Sequence, residues 1–154
     1  MQPPIDTLQY WIDRLPLELG QLSEDECTAR PLPGKWSKKE IVGHLCDSAL
    51  TNLQRLVRVQ YEPQPYTILK YDPDQWVRIM GYQAMPTSDI LALWIRLNRQ
   101  MVQVIGSFPA EALLYPCDAG GGKQVTAAYI IEDYAAHLEH HIHRILGLPS
   151  SYQA

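Results

Sequence analysis

The chain has 154 residues, a length that suits one domain with a full hydrophobic core. Hydrophobic residues make up 46% of the sequence and charged residues 19%, which excludes a disordered chain. The net charge of -4, without long blocks of one sign, argues against binding to nucleic acid or to an anionic membrane. We therefore expect a single domain over residues 1–154.

Three further features bear on the location of the protein. No stretch approaches the roughly 18 uninterrupted apolar residues of a membrane span, and no secretory signal is visible. Cys27, Cys46 and Cys117 are too widely spaced for a metal knuckle and too few for a disulfide framework. These features predict a cytoplasmic protein with reduced thiols.

Four segments have helical periodicity. The first runs from about Ile5 to Leu19, and Pro16 is expected to kink or break it. The second begins at a capping box formed by Ser37 and Glu40 and is expected to end near Tyr61.

The remaining two long helices lie in the second half of the chain. The third is predicted from Thr87 or Ser88 to about Ile105, and the last from an N-cap at Thr126 to Gly147. Between the second and third helices lies an irregular connection with room for a short helix in "YDPDQWVRIMGY". The loop "CDAGGGKQ" is expected to be flexible, and no strand is predicted. The pattern is typical of an all-α four-helix bundle in which the long connection carries a crossover.

The five histidines occur in two places, "GHLCDS" and "HLEHHIHRI". His137 and His141 are four residues apart, so they project from the same face of a helix, one turn from each other. This spacing allows two imidazoles of one helix to bind one metal ion. His140 could replace one member of the pair, whereas His143 points away.

His44 is the only histidine elsewhere, and with His137 and His141 it would complete a three-ligand site with open positions. These ligands suit zinc, nickel or ferrous iron. Asp47 and Asp133 are candidates to orient a ligating imidazole. The residues by themselves are equally compatible with core histidines that only form hydrogen bonds.

Two motifs, "PGKWSKKEIVGHLCDS" and "DYAAHLEHHIHRI", stand about 90 residues apart, with "YDPDQWV" between them. In these motifs the chain resembles the DinB/YfiT-like superfamily of four-helix-bundle metalloproteins. The resemblance implies a bundle with a crossover, often dimeric. It also implies a metal site made by the histidine of "GHL" and the first and last histidines of "HLEHH", which are His44, His137 and His141 here.

The resemblance implies several activities. Some members of the superfamily are transferases that use low-molecular-weight thiols, and many are described as metal-dependent hydrolases of unknown substrate. Members often have glutamine where this chain has Arg144, which could bind an anionic substrate group or pair with a surface carboxylate. We therefore expect a metal-dependent enzyme, either a thiol S-transferase or a hydrolase, that acts on a small molecule and forms a homodimer.

The alternative hypothesis is a non-catalytic bundle. In that case the metal, or a network of histidine hydrogen bonds, would join two helices, and the protein would act through a protein partner. Loss of folding on chelation would favour this alternative, because a structural metal contributes directly to folding free energy.

Overall fold

The computed structural model describes residues 1–149 and is mostly helical. Its helices are α1 (Gln2–Leu19), α2 (Glu24–Thr28), α3 (Lys38–Arg58), α4 (Pro73–Met80), α5 (Thr87–Gly106) and α6 (Ala127–Leu146). Short 3-10 turns at Tyr82–Ala84 and Glu111–Leu114 precede and follow α5. The four long helices, α1, α3, α5 and α6, form the predicted bundle.

The long helices form a ring in which α3 and α1 each lie between α5 and α6. Helices α3 and α6 are antiparallel, because the Lys38 ammonium donates to the carbonyl of Ile145 while His44, further along α3, meets His137, earlier on α6. Consecutive long helices α1 and α3 therefore lie diagonally across the bundle. The chain reaches α5 from α3 through residues 59–86, which form the predicted crossover.

Each long helix directs an apolar face to a common core. The fully buried side chains include Trp94, Tyr134, Leu8, Leu15, Leu45, Leu56, Met101 and Ile142. Tyr134 and Asn98 are buried polar residues of this core, and the tyrosine hydroxyl donates to the Asn98 side-chain oxygen at 2.6 Å. The hydroxyl and the amide oxygen thus satisfy each other without water, which removes the cost of burying them.

Three predicted boundaries are confirmed at the level of the capping residues. Ser37 and Glu40 form the capping box of α3, Thr126 accepts a hydrogen bond from the Tyr129 amide as the N-cap of α6, and Gly147 ends α6 with a φ of 69°. Glycine is favoured at this position because, without a Cβ atom, it adopts the left-handed conformation without strain. The short helix expected in the crossover is present as α4.

Pro16 was expected to kink or break the first helix, and it does not break it. Helix α1 continues to Leu19, and the Gly20 amide donates to the Pro16 carbonyl at 2.9 Å. Pro16 lies in the last turn of α1, where only one backbone bond, to Ile12, is lost. Burial of Leu15 and Leu19 in the core holds the remaining turn in helical conformation.

The sequence interpretation missed helix α2 and three short strands. Strand β1 (Tyr66–Thr67) pairs in parallel with β2 (Pro116–Asp118), which pairs antiparallel with β3 (Gln124–Thr126). The loop predicted to be flexible is therefore the turn of a β-hairpin, and its three glycines have φ values of 64° to 82°. The small sheet attaches the crossover to the segment that leads into α6.

No helix within residues 1–149 is long and apolar enough to cross a membrane.

Candidate metal centre

Three histidine side chains meet between α3 and α6. His44 comes from the second turn of α3, and His137 and His141 come from consecutive turns of α6. The Nε2 atom of His137 lies 3.4 Å from Nε2 of His44 and 3.1 Å from Nε2 of His141. One ligand atom from each of the three residues lies within 4.8 Å of the others. The structure thus brings together the three histidines selected from the sequence.

The spacing of these nitrogens suits one metal ion. Metal–nitrogen distances of about 2.0 to 2.1 Å in a tetrahedral site separate the nitrogens by about 3.3 to 3.4 Å. The two Nε2 separations of 3.4 and 3.1 Å are close to this value. Three protein nitrogens also leave coordination positions open for water or a substrate.

Burial keeps these imidazoles in the neutral form that binds metals. Burial, with smaller contributions from His137 and Arg144, lowers the pKa of His44 to about 4. Burial also lowers the pKa of His141 to about 2, and it lowers the pKa of His137 below its usual value. Unprotonated Nε2 atoms aimed at one point would repel each other, and a cation between them removes that repulsion.

Packing holds His44 in this orientation. The ring of Trp36, just before the N-cap of α3, lies 4.9 Å from the His44 ring, and the rings of His44 and His141 are 4.7 Å apart. The bond from Lys38 to the carbonyl of Ile145 joins α3 to α6 two turns away. The His44 imidazole is therefore held in place by the ring of Trp36 and by the fixed packing of α3 against α6.

Asp47, one of two candidates to orient a ligating imidazole, does not orient His44. Nδ1 of His44 is buried and has no hydrogen-bond partner among residues 1–149, so Asp47 does not orient that ring. Asp47 instead accepts a 2.6 Å hydrogen bond from the hydroxyl of Tyr82. The helix carries Asp47 three residues beyond His44, which turns its carboxylate toward the 3-10 turn that holds Tyr82.

Asp133 and Arg144 both act on the histidines electrostatically. The Asp133 carboxylate, one turn before His137, opposes the effect of burial and favours a higher pKa for that ring. The exposed Arg144 lowers the pKa of both His44 and His141. No ion pair within residues 1–149 includes Arg144, so the surface-carboxylate interpretation has no support there.

The other two histidines of α6 do not join the cluster. The ring of His140 lies beside that of His141, with centroids 5.2 Å apart, while the ring of His143 contacts Trp11 of α1. His143 therefore faces a different helix, as its position in the sequence predicts. His140 is not among the three residues whose ligand atoms converge.

The sequence interpretation missed two aromatic residues near the site. Tyr82 was not considered, yet its ring packs directly against the backbone of Gly43, and its hydroxyl bonds Asp47. Tyr71 is half-buried, and burial raises the pKa of its hydroxyl. The one signal in the sequence that could have indicated the contact with Tyr82 is Gly43 in "GHL", because a glycine inside a helix often marks a close contact.

Comparison with known proteins places the chain in a family. The model of the DinB superfamily matches residues 8–145. A protein of Oceanobacillus iheyensis named "putative metal-dependent hydrolase" is 22% identical over 138 residues, covering 90% of this chain and 79% of the relative. A protein of Halalkalibacterium halodurans with the same description is 24% identical over 145 residues, covering 90% and 84%.

A solved structure shares the fold. YfiT from Bacillus subtilis, described as "a probable metal-dependent hydrolase with an unusual four-helix bundle topology", superposes with a TM-score of 0.85 at 19% sequence identity. The match covers 95% of this chain and 83% of YfiT. The bundle, its crossover and the family match over residues 8–145 together show that this chain is a member of the DinB superfamily.

Proposed function

We propose that this protein is a metal-dependent hydrolase in which His44, His137 and His141 bind one divalent transition metal. The observation that carries the proposal is the convergence of three neutral imidazoles, those of His44 and His141 buried and that of His137 half-buried, with Nε2 separations of 3.1 and 3.4 Å around His137. The names of two relatives, both described as metal-dependent hydrolases, support the same reaction class.

The chain itself supplies two functions at such a site, metal binding and proton transfer. The imidazoles hold the metal without cancelling its charge, because burial keeps them neutral. When bound, a divalent metal in this setting polarises a substrate oxygen and makes water more acidic. Asp133 lies one turn from His137 and influences that ring, which makes it the carboxylate best placed to accept a proton near the cluster.

None of the cysteines fits the role of a nucleophile. Cys46 is buried on the opposite side of α3, where its thiol donates to the Ile90 carbonyl at 3.6 Å. Burial and the neighbouring Asp47 raise the pKa of this thiol, which keeps it protonated at neutral pH. Hydrolysis at this site therefore relies on water as the nucleophile.

Metal content tests the binding step. Protein purified without an affinity tag is expected to contain about one equivalent of zinc, nickel or iron by elemental mass spectrometry. His44→Ala, His137→Ala and His141→Ala should each lose it, whereas His143→Ala, which alters the same helix on the side facing Trp11, should keep it. A wild-type protein without metal, even after reconstitution, would refute the proposal.

Activity distinguishes the proposed reaction from its alternatives. Metal-loaded protein should hydrolyse members of a panel of carboxylic and phosphoric esters and amides without an added thiol, and His141→Ala should not. A reaction that requires a low-molecular-weight thiol would instead indicate S-transfer. Unfolding on chelation, with no activity in either panel, would favour the structural-metal hypothesis.

The expectations of a homodimer, a cytoplasmic location and the absence of a nucleic-acid partner stay predictions. Light scattering of the eluted protein measures the first of these directly.

A further inference from the structure

A cleft of about 500 Å³ opens between α3 and the crossover. Leu50 of α3 and Leu69 of the crossover line it, although these leucines are 47% and 58% exposed. Tyr71 and Trp76 complete an apolar wall, and the centroids of their rings lie 5.2 Å apart. A concave surface of this kind suits the apolar body of a small molecule, because binding removes the leucines and the rings from water.

The crossover side of the cleft is held in place by hydrogen bonds. Asp72 is the N-cap of α4, where its carboxylate accepts a hydrogen bond from the Gln75 amide at 3.1 Å, and the helix so begun carries Trp76 at a set position. The carbonyl of Leu69 accepts a 2.8 Å hydrogen bond from Arg55 of α3, which joins the two sides of the cleft. A cleft that is already formed loses little conformational entropy when a ligand binds.

The charges around the cleft favour an anionic ligand. Among the described residues that line it, Lys70 carries the only charge. Its ammonium lies beside Gly120 in the turn of the β-hairpin and takes part in no ion pair or hydrogen bond within residues 1–149. An anion placed next to this ammonium gains a Coulomb attraction that no carboxylate of the cleft opposes.

The cleft adjoins the histidine cluster along α3. Thr51, on the α3 side of the cleft, is seven residues beyond His44, so the two side chains lie on one face of the helix, two turns or about 10 Å apart. A ligand in the cleft therefore lies within the length of one small molecule from the candidate metal centre.

We propose that this cleft binds a small organic acid, with its aromatic or aliphatic body against Leu50, Leu69 and Trp76 and its carboxylate beside the Lys70 ammonium. The wall supplies the apolar contact, and the lysine supplies the charge that distinguishes an acid from a neutral analogue. The inference that the histidine cluster acts on this acid rests on the proposed function, whereas the cleft itself requires no metal.

The test uses two matched probes, 3-phenylpropionate and the neutral 3-phenylpropanamide, titrated into the protein as purified and followed by NMR. Wild-type protein should bind both, and the acid about three- to tenfold more tightly than the amide. Lys70→Gln should remove this preference without weakening the binding of the amide. Lys35→Gln, the same change of charge at an exposed lysine outside the cleft, should retain the preference.

Two substitutions test the wall of the cleft. Trp76→Ala should weaken the binding of both probes by at least about fivefold. Gln54→Trp, which fills the cleft from an exposed position on α3, should do the same and serves if the alanine variant does not fold. Ile79→Ala, on the same helix as Trp76 but outside the cleft, should bind both probes as wild type does.

His141→Ala separates binding in the cleft from coordination to a metal, and metal content is measured in the same samples. This variant should bind the acid as wild type does. Loss of acid binding in His141→Ala, with unchanged binding in Trp76→Ala and Gln54→Trp, would place the acid on the metal and overturn the proposal. Equal affinity of wild-type protein for acid and amide, or no saturable binding of either, would also overturn it, whereas a wild-type protein without metal would count against the proposed function alone.

Discussion

Replacing Gly43 with alanine should destabilise the protein, although alanine is the better helix former. In an exposed helix interior, glycine to alanine stabilises by about 1 kcal/mol. A Cβ at position 43 would lie 2.2 Å from Cδ2 and 2.3 Å from Cγ of Tyr82. The Tyr82 ring would have to move by about 1.2 Å to restore a 3.4 Å contact.

The tyrosine cannot move freely, because it is buried and its hydroxyl donates to Asp47 at 2.6 Å. Overpacking of a core costs about 1 to 3 kcal/mol, and loss of a hydrogen bond to a charged group about 1.5 to 3 kcal/mol. After subtraction of the gain in helix propensity, we expect Gly43→Ala to lower the free energy of unfolding by about 2 to 4 kcal/mol. For a domain of this size the melting temperature should fall by about 5 to 15 °C.

Urea denaturation and thermal melting followed by circular dichroism measure this change. The control is Gly106→Ala at the end of α5, where an added Cβ meets nothing within 4 Å, and it should be neutral or slightly stabilising. In a Tyr82→Ala background the clash is absent, so Gly43→Ala should no longer destabilise. A Gly43→Ala protein as stable as the wild type would refute the reasoning.

Three other perturbations have expected outcomes. Burial raises the pKa of Asp47 to about 6 from an ordinary 3.8, so the Asp47 carboxyl binds a proton more tightly in the folded state than in the unfolded chain. The protonated carboxyl therefore contributes fully to stability below about pH 4, and this contribution is lost as the pH rises through 6. Asp47→Asn should therefore flatten the decline in unfolding free energy between pH 4 and pH 7 by about 1 to 3 kcal/mol in urea titrations, and an unchanged slope would contradict this assignment. Chelation of a bound metal should lower the melting temperature by about 5 to 10 °C without unfolding the bundle, because the hydrophobic core does not include the three histidines. Complete unfolding on chelation would contradict this expectation. Cys27, Cys46 and Cys117 are all buried with raised pKa values, so Ellman's reagent should react slowly with the folded protein and fully in denaturant, and a rapidly reacting thiol in the native state would argue against this arrangement.

Local signals in the sequence were sufficient for the long helices and for two of the three candidate metal ligands. The capping box at Ser37, the N-cap at Thr126 and the glycine at 147 act within one turn, so their effect does not depend on distant parts of the chain. The juxtaposition of His137 and His141 follows from helical spacing in the same way. Local rules were less reliable where tertiary contacts compete, as at Pro16, where core burial maintains the helix.

The sequence by itself determined that four amphipathic helices form and that two histidines share a face of the last one. Tertiary structure alone decided that α6 lies beside α3, which brings His44 to that pair, and that Tyr82 rather than a histidine takes Asp47 as its partner. It also decided that Arg55 donates to Asn52 and to the carbonyl of Leu69, whereas Arg58 pairs with Glu62. The physical reason is that spacing along a helix is set by backbone geometry, whereas contacts between helices depend on how all their faces pack into one core.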